Sequence, residues 1–256
     1  AVTDLADQSN LLAVNAASCQ ITLNVTNARL SFGWDGAGHF IQTGGVVNVR
    51  RAQLDSNNST PGASLWIFEG GSFNIRDALD GPGDGADLAL WGGGTVGALG
   101  SWNSMVGFRA ILTGTNGHTT LDTAGYTVTL TGSVFTGSGG LIKAGTGTLV
   151  YAGGGSNQYA GGTALNAGVL RVNNQLVADV TVAGGATLAG TGSVLGVATV
   201  ASNGVVQPGG VGAAGPLAVT SAVLQAGAQV NWASAGTGAV LRVTGTNGLV
   251  VPAGAA

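Results

Sequence analysis

Short runs in which apolar and polar residues alternate recur along the whole chain. They are three to five residues long, rich in Val, Thr and Leu, and separated by Gly, Asn or Ser; examples are 126–130, 169–172, 180–182, 198–200, 217–219 and 240–243. Alternation with a period of two, together with β-branched side chains, indicates strands with one buried face. Only the first dozen residues, 1–12, are compatible with helical spacing. The pattern therefore predicts an all-β body.

Paired glycines divide these runs at a nearly constant interval. The doublets begin at residues 44, 70, 93, 139, 161, 184 and 209, and Gly117 falls between the third and the fourth. With Gly117 included, all the successive intervals are similar in length, although the triplet 153–155 is out of step. A period in the low twenties is typical of stacked supersecondary units.

Two or three short strands in each repeat suit one coil of a parallel β-helix. Each strand then pairs with the coils above and below it, about 4.8 Å away. A propeller blade needs four strands and about 40 residues, which exceeds this period. A β-sandwich is the alternative, but it gives no reason for regular glycine doublets.

We therefore predict an all-β parallel β-helix (β-solenoid) of roughly ten coils, forming a rod about 50 Å long. The glycine spacing predicts a coil length of about 22–26 residues. Residues 1–30 are predicted to form an N-terminal cap, and residues 31–256 a single solenoid.

Composition excludes several classes of protein. Glycine makes up 48 of 256 residues without a strict triplet, which excludes collagen, and 45% hydrophobic residues exclude a disordered linker. Charged residues are only 7% of the chain, where about 25% is usual. The net charge of −3 without a basic stripe argues against a nucleic-acid partner. No apolar run is long enough to predict a transmembrane segment.

Residues 137–172 carry a recognisable motif. The positions that fill it are Leu141, Lys143, Gly145, Gly147, Thr148, Leu149, Asn157, Tyr159, Gly161, Gly162, Thr163, Gly168, Leu170 and Val172. This stretch resembles the passenger-associated transport repeat of bacterial autotransporter passengers, with a longer glycine-rich link at 153–156. We assign residues 126–210 to the repeat region, with 186–194 and 204–210 as the coils that commonly follow the motif.

Two upstream segments, 40–49 and 114–132, are similar to bacterial surface proteins of planctomycete and verrucomicrobial type that carry the same repeat. The resemblance implies a right-handed parallel β-helix that is exported and lies outside the cell or on its surface. It implies no catalytic residue, because the motif is structural.

An acidic cluster lies in the turn-rich segment 76–87. Asp80, Asp84 and Asp87 are close in sequence and offer oxygen ligands of the kind that Ca²⁺ prefers. Their spacing matches neither the EF-hand loop nor the nonapeptide calcium repeat, and Asp-Gly is an ordinary turn former. A calcium site and a solvated loop are the two interpretations.

The sequence contains few candidate catalytic residues. Glycoside cleavage by acid and base needs two carboxyl groups within about 10 Å, and beyond Asp87 the chain contains only Asp122 and Asp179. Any such site would draw on Asp35, Asp55, Glu69, Asp77, Asp80, Asp84, Asp87 and His39. Cys19 is the only cysteine, and no pattern near it indicates a catalytic thiol. We predict that the protein is not an enzyme and needs no cofactor.

Aromatic residues are concentrated before residue 110. One interpretation is that Trp66, Trp91 and Trp102 form an exposed platform that binds sugar rings of surface glycans. The other is a bulkier core at this end of the rod.

The overall prediction is an extracellular structural or adhesive solenoid that assembles with copies of itself into filaments or a surface layer. Unpaired strand edges at the ends of a solenoid favour such pairing, and low charge reduces repulsion between copies. The alternatives are a glycan-binding adhesin passenger and a polysaccharide-degrading enzyme.

Overall fold

A computed structural model describes residues 2–4, 10–23, 29–32, 38–54, 64–80, 88–104, 107–132, 134–209, 215–232 and 238–251. Regular structure within these residues is entirely β, and every strand pairing is parallel. The predicted fold class, an all-β parallel β-solenoid, is confirmed. None of the described residues form a helix of the length and apolarity that crossing a bilayer requires.

The strands are β1 (Val2–Asp4), β2 (Asn10–Val14), β3 (Gln20–Leu23), β4 (Arg29–Phe32), β5 (Gly38–Leu54), β6 (Leu65–Asp80), β7 (Leu88–Trp91), β8 (Thr95–Ala98), β9 (Trp102–Ser104), β10 (Arg109–Leu112), β11 (Thr119–Asp122), β12 (Thr127–Thr131), β13 (Val134–Gly137), β14 (Leu141–Ala144), β15 (Thr148–Ala152), β16 (Ser156–Tyr159), β17 (Thr163–Leu165), β18 (Val169–Val172), β19 (Gln175–Leu176), β20 (Val180–Val182), β21 (Thr187–Gly190), β22 (Ser193–Val200), β23 (Val205–Pro208), β24 (Pro216–Leu224), β25 (Gln229–Val230), β26 (Val240–Val243) and β27 (Leu249–Val250).

The strands form three stacks that run along the rod. The first stack contains β1, β4, the last part of β5 and of β6, β9, β12, β15, β18, β21, β23 and β25. The second contains β2, β7, β10, β13, β16, β19 and β26. It also contains the first part of each of the long strands β5, β6, β22 and β24. The third contains β3, β8, β11, β14, β17, β20, β27 and the remaining parts of the long strands.

Coil length varies more than the glycine spacing predicts. Ala52 pairs with Leu79, whereas Val169 pairs with Thr187, so the earlier coil is half as long again as the later one. The predicted range of coil lengths is therefore too narrow, and the predicted count of roughly ten coils is slightly off.

Most glycine doublets mark one corner of the coil. The doublets that begin at residues 44, 70, 93, 139 and 161, and also Gly117, all lie between the second and the third stack. At this corner Gly71 has a φ of +76°, and a Cβ there would overlap the carbonyl oxygens of Gly44 and Gly45. The last two doublets lie at other corners, because Gly184 follows the third stack and Gly209 follows the first.

The interior is filled differently along the rod. Side chains that alternate with outward polar residues point inward and are buried. Between Phe32 and Tyr159 the buried residues include phenylalanine, tryptophan and tyrosine together with Leu, Val, Ile and Ala. From Leu165 to Ala222 the buried apolar residues are Leu, Val and Ala.

The amino-terminal segment belongs to the solenoid. β1, β2 and β3 pair in parallel with β4 and β5, so the residues predicted as a cap, 1–30, contain the strands of the first described coil. The helical spacing noted for residues 1–12 does not correspond to a helix, because the described parts, 2–4 and 10–12, are in strands.

Candidate functional site

The three tryptophans considered for a glycan platform are buried. Trp66 is 0% exposed, and Trp91 and Trp102 are each 1% exposed. Trp66 packs against Phe73 with ring centroids 4.7 Å apart and against Trp91 at 5.2 Å. The platform prediction is wrong, because these indole rings lie inside the coils where a sugar does not reach them. The alternative interpretation, a bulkier core, is confirmed.

Of the predicted calcium ligands, only Asp80 lies within the described residues; Asp84 and Asp87 lie outside them. The Asp80 carboxyl is nearly buried on the first stack, next in register to Gln53. Burial raises the pKa of Asp80, while the nearby charges of Arg51 and Arg29 act to lower it. Two guanidinium groups beside Asp80 oppose the binding of another cation there. A calcium site at this segment stays a prediction.

Glu69, Asp77, Asp80 and His39 are the residues considered for catalysis that lie within the described part of the chain. Asp77 forms an ion pair with Arg50, with a distance of 2.6 Å between Oδ2 and Nη2. Glu69 lies at the corner before the third stack, and His39 lies on β5 in the second stack. Among the described residues, no group of three or more His, Cys, Asp or Glu side chains could hold a metal ion. The remaining candidates lie outside the described residues: Asp35, Asp55, Asp84 and Asp87.

Lys143, one of the motif residues, points into the coil and not towards solvent. It is fully buried in register with Leu121 and Leu165, and its Nζ donates to the carbonyl oxygens of Ala144, Gly145 and Ala167 at 2.8, 2.8 and 3.0 Å. Burial lowers the pKa of Lys143 to about 8, and Asp122 acts in the opposite direction. Hydrogen bonds from Lys143 therefore link the corner after β14 to the next coil.

Gln42 makes the same kind of hydrogen-bonded link between a corner and the next coil, nearer the amino-terminal end. Its Nε2 donates to the carbonyl oxygens of Gly44, Gly45 and Ser72. No role was predicted from the sequence for Gln42 or Lys143. The signal was available, because both polar residues occupy the inward positions of an alternating strand just before a corner.

The motif residue Tyr159 and the nearby Tyr151 form a short buried chain of hydroxyl groups with Thr163. The Tyr151 and Tyr159 hydroxyl oxygens are 3.2 Å apart, and that of Tyr159 is 2.5 Å from Thr163 Oγ1. Burial raises the pKa of Tyr159 to about 12 and that of Tyr151 well above its usual range. These hydroxyl groups satisfy one another inside the rod, which is a structural role.

The two terminal coils of the described chain have strands that pair on one side only. β1, β2 and β3 each pair with a later strand, and β25, β26 and β27 each pair with an earlier one. The coils between them are paired on both sides. A row of unpaired backbone N–H and C=O groups at a strand edge is a template for another strand.

Apolar residues are also uncovered at these coils. We define the amino-terminal face as Leu12, Cys19, Ile21 and Leu23, and the carboxyl-terminal face as Leu224, Ala228, Leu241, Val243 and Leu249. Ile21 is half-buried although its neighbour in register, Val47, is 0% exposed. Leu249 is 54% exposed although its neighbour Ala222 is 1% exposed. Each face therefore continues an inward column without a cover among the described residues.

Other large exposed apolar residues lie near the same coils. Leu11 is 59% exposed on β2, and Val240 is 48% exposed on β26. Trp232, Val250 and Val251 are also exposed beside the carboxyl-terminal face. The two terminal coils therefore form the strongest candidate interaction surfaces of the described residues.

Comparison of the chain with known protein families, with curated proteins and with solved structures gave no match. The resemblance of residues 126–210 to the passenger-associated repeat therefore stays an expectation that rests on the motif residues alone.

Proposed function

We propose that this protein is an extracellular structural or adhesive rod that assembles head to tail with copies of itself. The observation that carries the proposal is the pair of uncovered terminal coils, each with unpaired strand edges and half-exposed inward apolar residues. Export to the cell surface is part of the proposal, and it is supported by the motif resemblance and by the low content of charged residues.

The two faces are alike in chemistry, because each presents apolar residues beside unpaired strand edges. A second copy would place its β26 against β2, so that Leu241 continues the column of Leu12 and Val243 that of Val14. In that register the exposed Val240 lies beside the exposed Leu11. Parallel pairing at about 4.8 Å is the contact that every internal coil already makes.

Such a contact joins two different surfaces, so it does not close on itself in a dimer. Contacts of this type generate rings or open filaments. Because only 7% of the residues are charged, electrostatic repulsion between copies is weak. A filament, or a layer of aligned filaments, is therefore the expected assembly.

The test uses one variant at each face. Leu12→Asp blocks the amino-terminal face, and Leu241→Asp blocks the carboxyl-terminal face, because a buried unpaired carboxylate is costly. Each variant alone should sediment as a monomer in analytical ultracentrifugation. Mixed together they should form a dimer, since each retains the face that the other lacks.

Thr136→Asp serves as the control, because it adds the same charge at an exposed position of β13, a strand that is paired on both sides. The control and the unmodified chain should form filaments visible by electron microscopy. A monomeric unmodified chain at high concentration, or variants that fail to pair when mixed, would contradict the proposal.

A further inference from the structure

A groove crosses the outside of the rod where the third stack meets the first. It has a volume of about 200 Å³ and is lined by Thr22, Leu23, Asn48, Val49, Arg76 and Leu99. These residues come from four successive coils, so the groove is about 14 Å long at the usual strand spacing. Its lining combines polar groups with apolar side chains, as small-ligand sites do.

A row of hydrogen-bonded side chains forms the polar wall. Asn74 Nδ2 donates to Asn48 Oδ1 at 2.8 Å, and Asn48 Nδ2 donates to Thr22 Oγ1 at 3.4 Å. The row stops at Gly97, which follows Asn74 in register and has no side chain. Asn74 Oδ1 lies against Gly97 and outside the groove, whereas the hydroxyl proton of Thr22 is left at the other end of the row, available to a ligand.

Arg76 provides a positive charge in this groove. Within the described part of the chain it forms neither an ion pair nor a side-chain hydrogen bond. The arginine one coil earlier at the same corner, Arg50, is neutralised by Asp77. A guanidinium presents a planar set of donors that matches a carboxylate with two parallel hydrogen bonds.

We propose that this groove binds a carboxylate-bearing saccharide, a chain of uronic-acid units. The guanidinium of Arg76 binds the carboxylate, the amide and hydroxyl row binds ring hydroxyl groups, and Leu99 packs against an apolar sugar face. An extended saccharide lying across the coils fits a long and shallow groove. The site gives the rod an adhesive function of its own, and it lies beside the amino-terminal face, to which Leu23 also belongs.

Binding is tested by titration calorimetry at low ionic strength with tri-galacturonate as the probe. The protein is the Leu241→Asp variant, which keeps copies apart and leaves the groove at the other end unchanged. Arg76→Gln should weaken binding about tenfold or more, because a charge-assisted hydrogen bond contributes about 1.5–3 kcal/mol. Arg109→Gln is the matched control, since Arg109 is an exposed arginine on a different stack.

The neutral trimer galactotriose should bind much more weakly than tri-galacturonate. Absence of tri-galacturonate binding, or equal weakening by Arg76→Gln and Arg109→Gln, would overturn the proposal. Equal binding of triglutamate would also overturn it, because the groove would then recognise a carboxylate without recognising a sugar. None of these outcomes depends on filament formation, so they test the groove separately from the assembly.

Discussion

The coils between Phe32 and Phe135 and the coils between Leu165 and Ala222 use the same three stacks but fill them with different side chains. In the first region, which we call the aromatic region, rings contact one another from coil to coil, from Phe32 against Phe40 to Trp91 against Phe135. In the second, the aliphatic region, columns of Leu, Val and Ala continue without a ring. The shortest coils lie in the aliphatic region, where Leu165 pairs with Val182 and Thr187 pairs with Val205.

This difference shows that the backbone pairing and the core filling are separable. Backbone pairing joins each coil only to its neighbours, so the stability of a solenoid is close to a sum of coil and interface terms. Bulky rings fill the longer coils to native density, and small aliphatic side chains fill the shorter ones. The two regions are therefore expected to respond differently to a truncated side chain.

The largest expected effect comes from truncating the central ring of the aromatic region. Trp66 packs against Phe32, Phe73 and Trp91, so Trp66→Ala opens a cavity that reaches neighbouring coils. It should reduce the free energy of unfolding by about 3–5 kcal/mol, against about 2–3 kcal/mol for Leu188→Ala in the aliphatic region. Urea unfolding followed by far-UV circular dichroism measures both.

Trp232→Ala is the control for the loss of an indole, because Trp232 is 54% exposed. It should change the free energy of unfolding by less than about 0.5 kcal/mol. An equal loss for Trp66→Ala and Leu188→Ala would contradict this prediction, because loss of the indole ring removes more buried atoms than loss of the leucine side chain does.

The fold could be predicted because the chain repeats its signals. Alternating runs identify strands, and the doublets from Gly44 to Gly162 identify one corner because close backbone contact there excludes a side chain. The corners at which the doublets that begin at Gly184 and Gly209 lie could not be predicted. They occupy other corners, and a glycine pair looks the same in sequence wherever the coil turns.

The predicted sites were less reliable, because composition does not state which way a side chain points. Trp66 alternates with Leu65 and Ile67 along β6, and this pattern of apolar neighbours on both faces hides the inward direction. The groove at Arg76 depends on residues from four coils and on the lack of a partner for one arginine among the described residues. Neither feature is visible until the coils are in register.

Glycine substitutions give the next largest difference. Gly71 and Gly185 both have positive φ values, of +76° and +81°, and an alanine at either position costs about 1–2 kcal/mol for the backbone conformation alone. A Cβ at Gly71 also overlaps two carbonyl oxygens, whereas nothing described lies within 4 Å of a Cβ at Gly185. Gly71→Ala should therefore cost about 1–3 kcal/mol more than Gly185→Ala.

Thermal unfolding of the two variants measures this difference. Similar losses would mean that the aromatic region relaxes around the new side chain as easily as the aliphatic region does. The corner between the second and third stacks would then tolerate residues other than glycine.

The smallest expected effect distinguishes Gln42 from Lys143, the two buried polar side chains that donate hydrogen bonds to carbonyl oxygens at corners. Gln42 in the aromatic region does not titrate, whereas burial lowers the pKa of Lys143 from 10.5 to about 8. Between about pH 8 and pH 10 the unfolded chain holds the lysine proton and the folded chain has lost it, so stability should rise with pH. Above pH 10 unfolded tyrosines lose their protons while Tyr159, with its pKa near 12, retains its own, so stability should fall.

Lys143→Gln tests this assignment, because it replaces the ammonium group with an amide. An amide is the group with which Gln42 already binds carbonyl oxygens at its own corner. The rise between pH 8 and pH 10 in urea unfolding should disappear, while the fall above pH 10 should remain. Lys143→Met also removes the titration, but it leaves carbonyl oxygens of Ala144, Gly145 and Ala167 without this donor, so it should lower stability by about 1–3 kcal/mol at every pH. If stability still rises between pH 8 and pH 10 in Lys143→Gln, the titrating proton belongs to another group. Lys143 and Gln42 would then not differ in their response to pH.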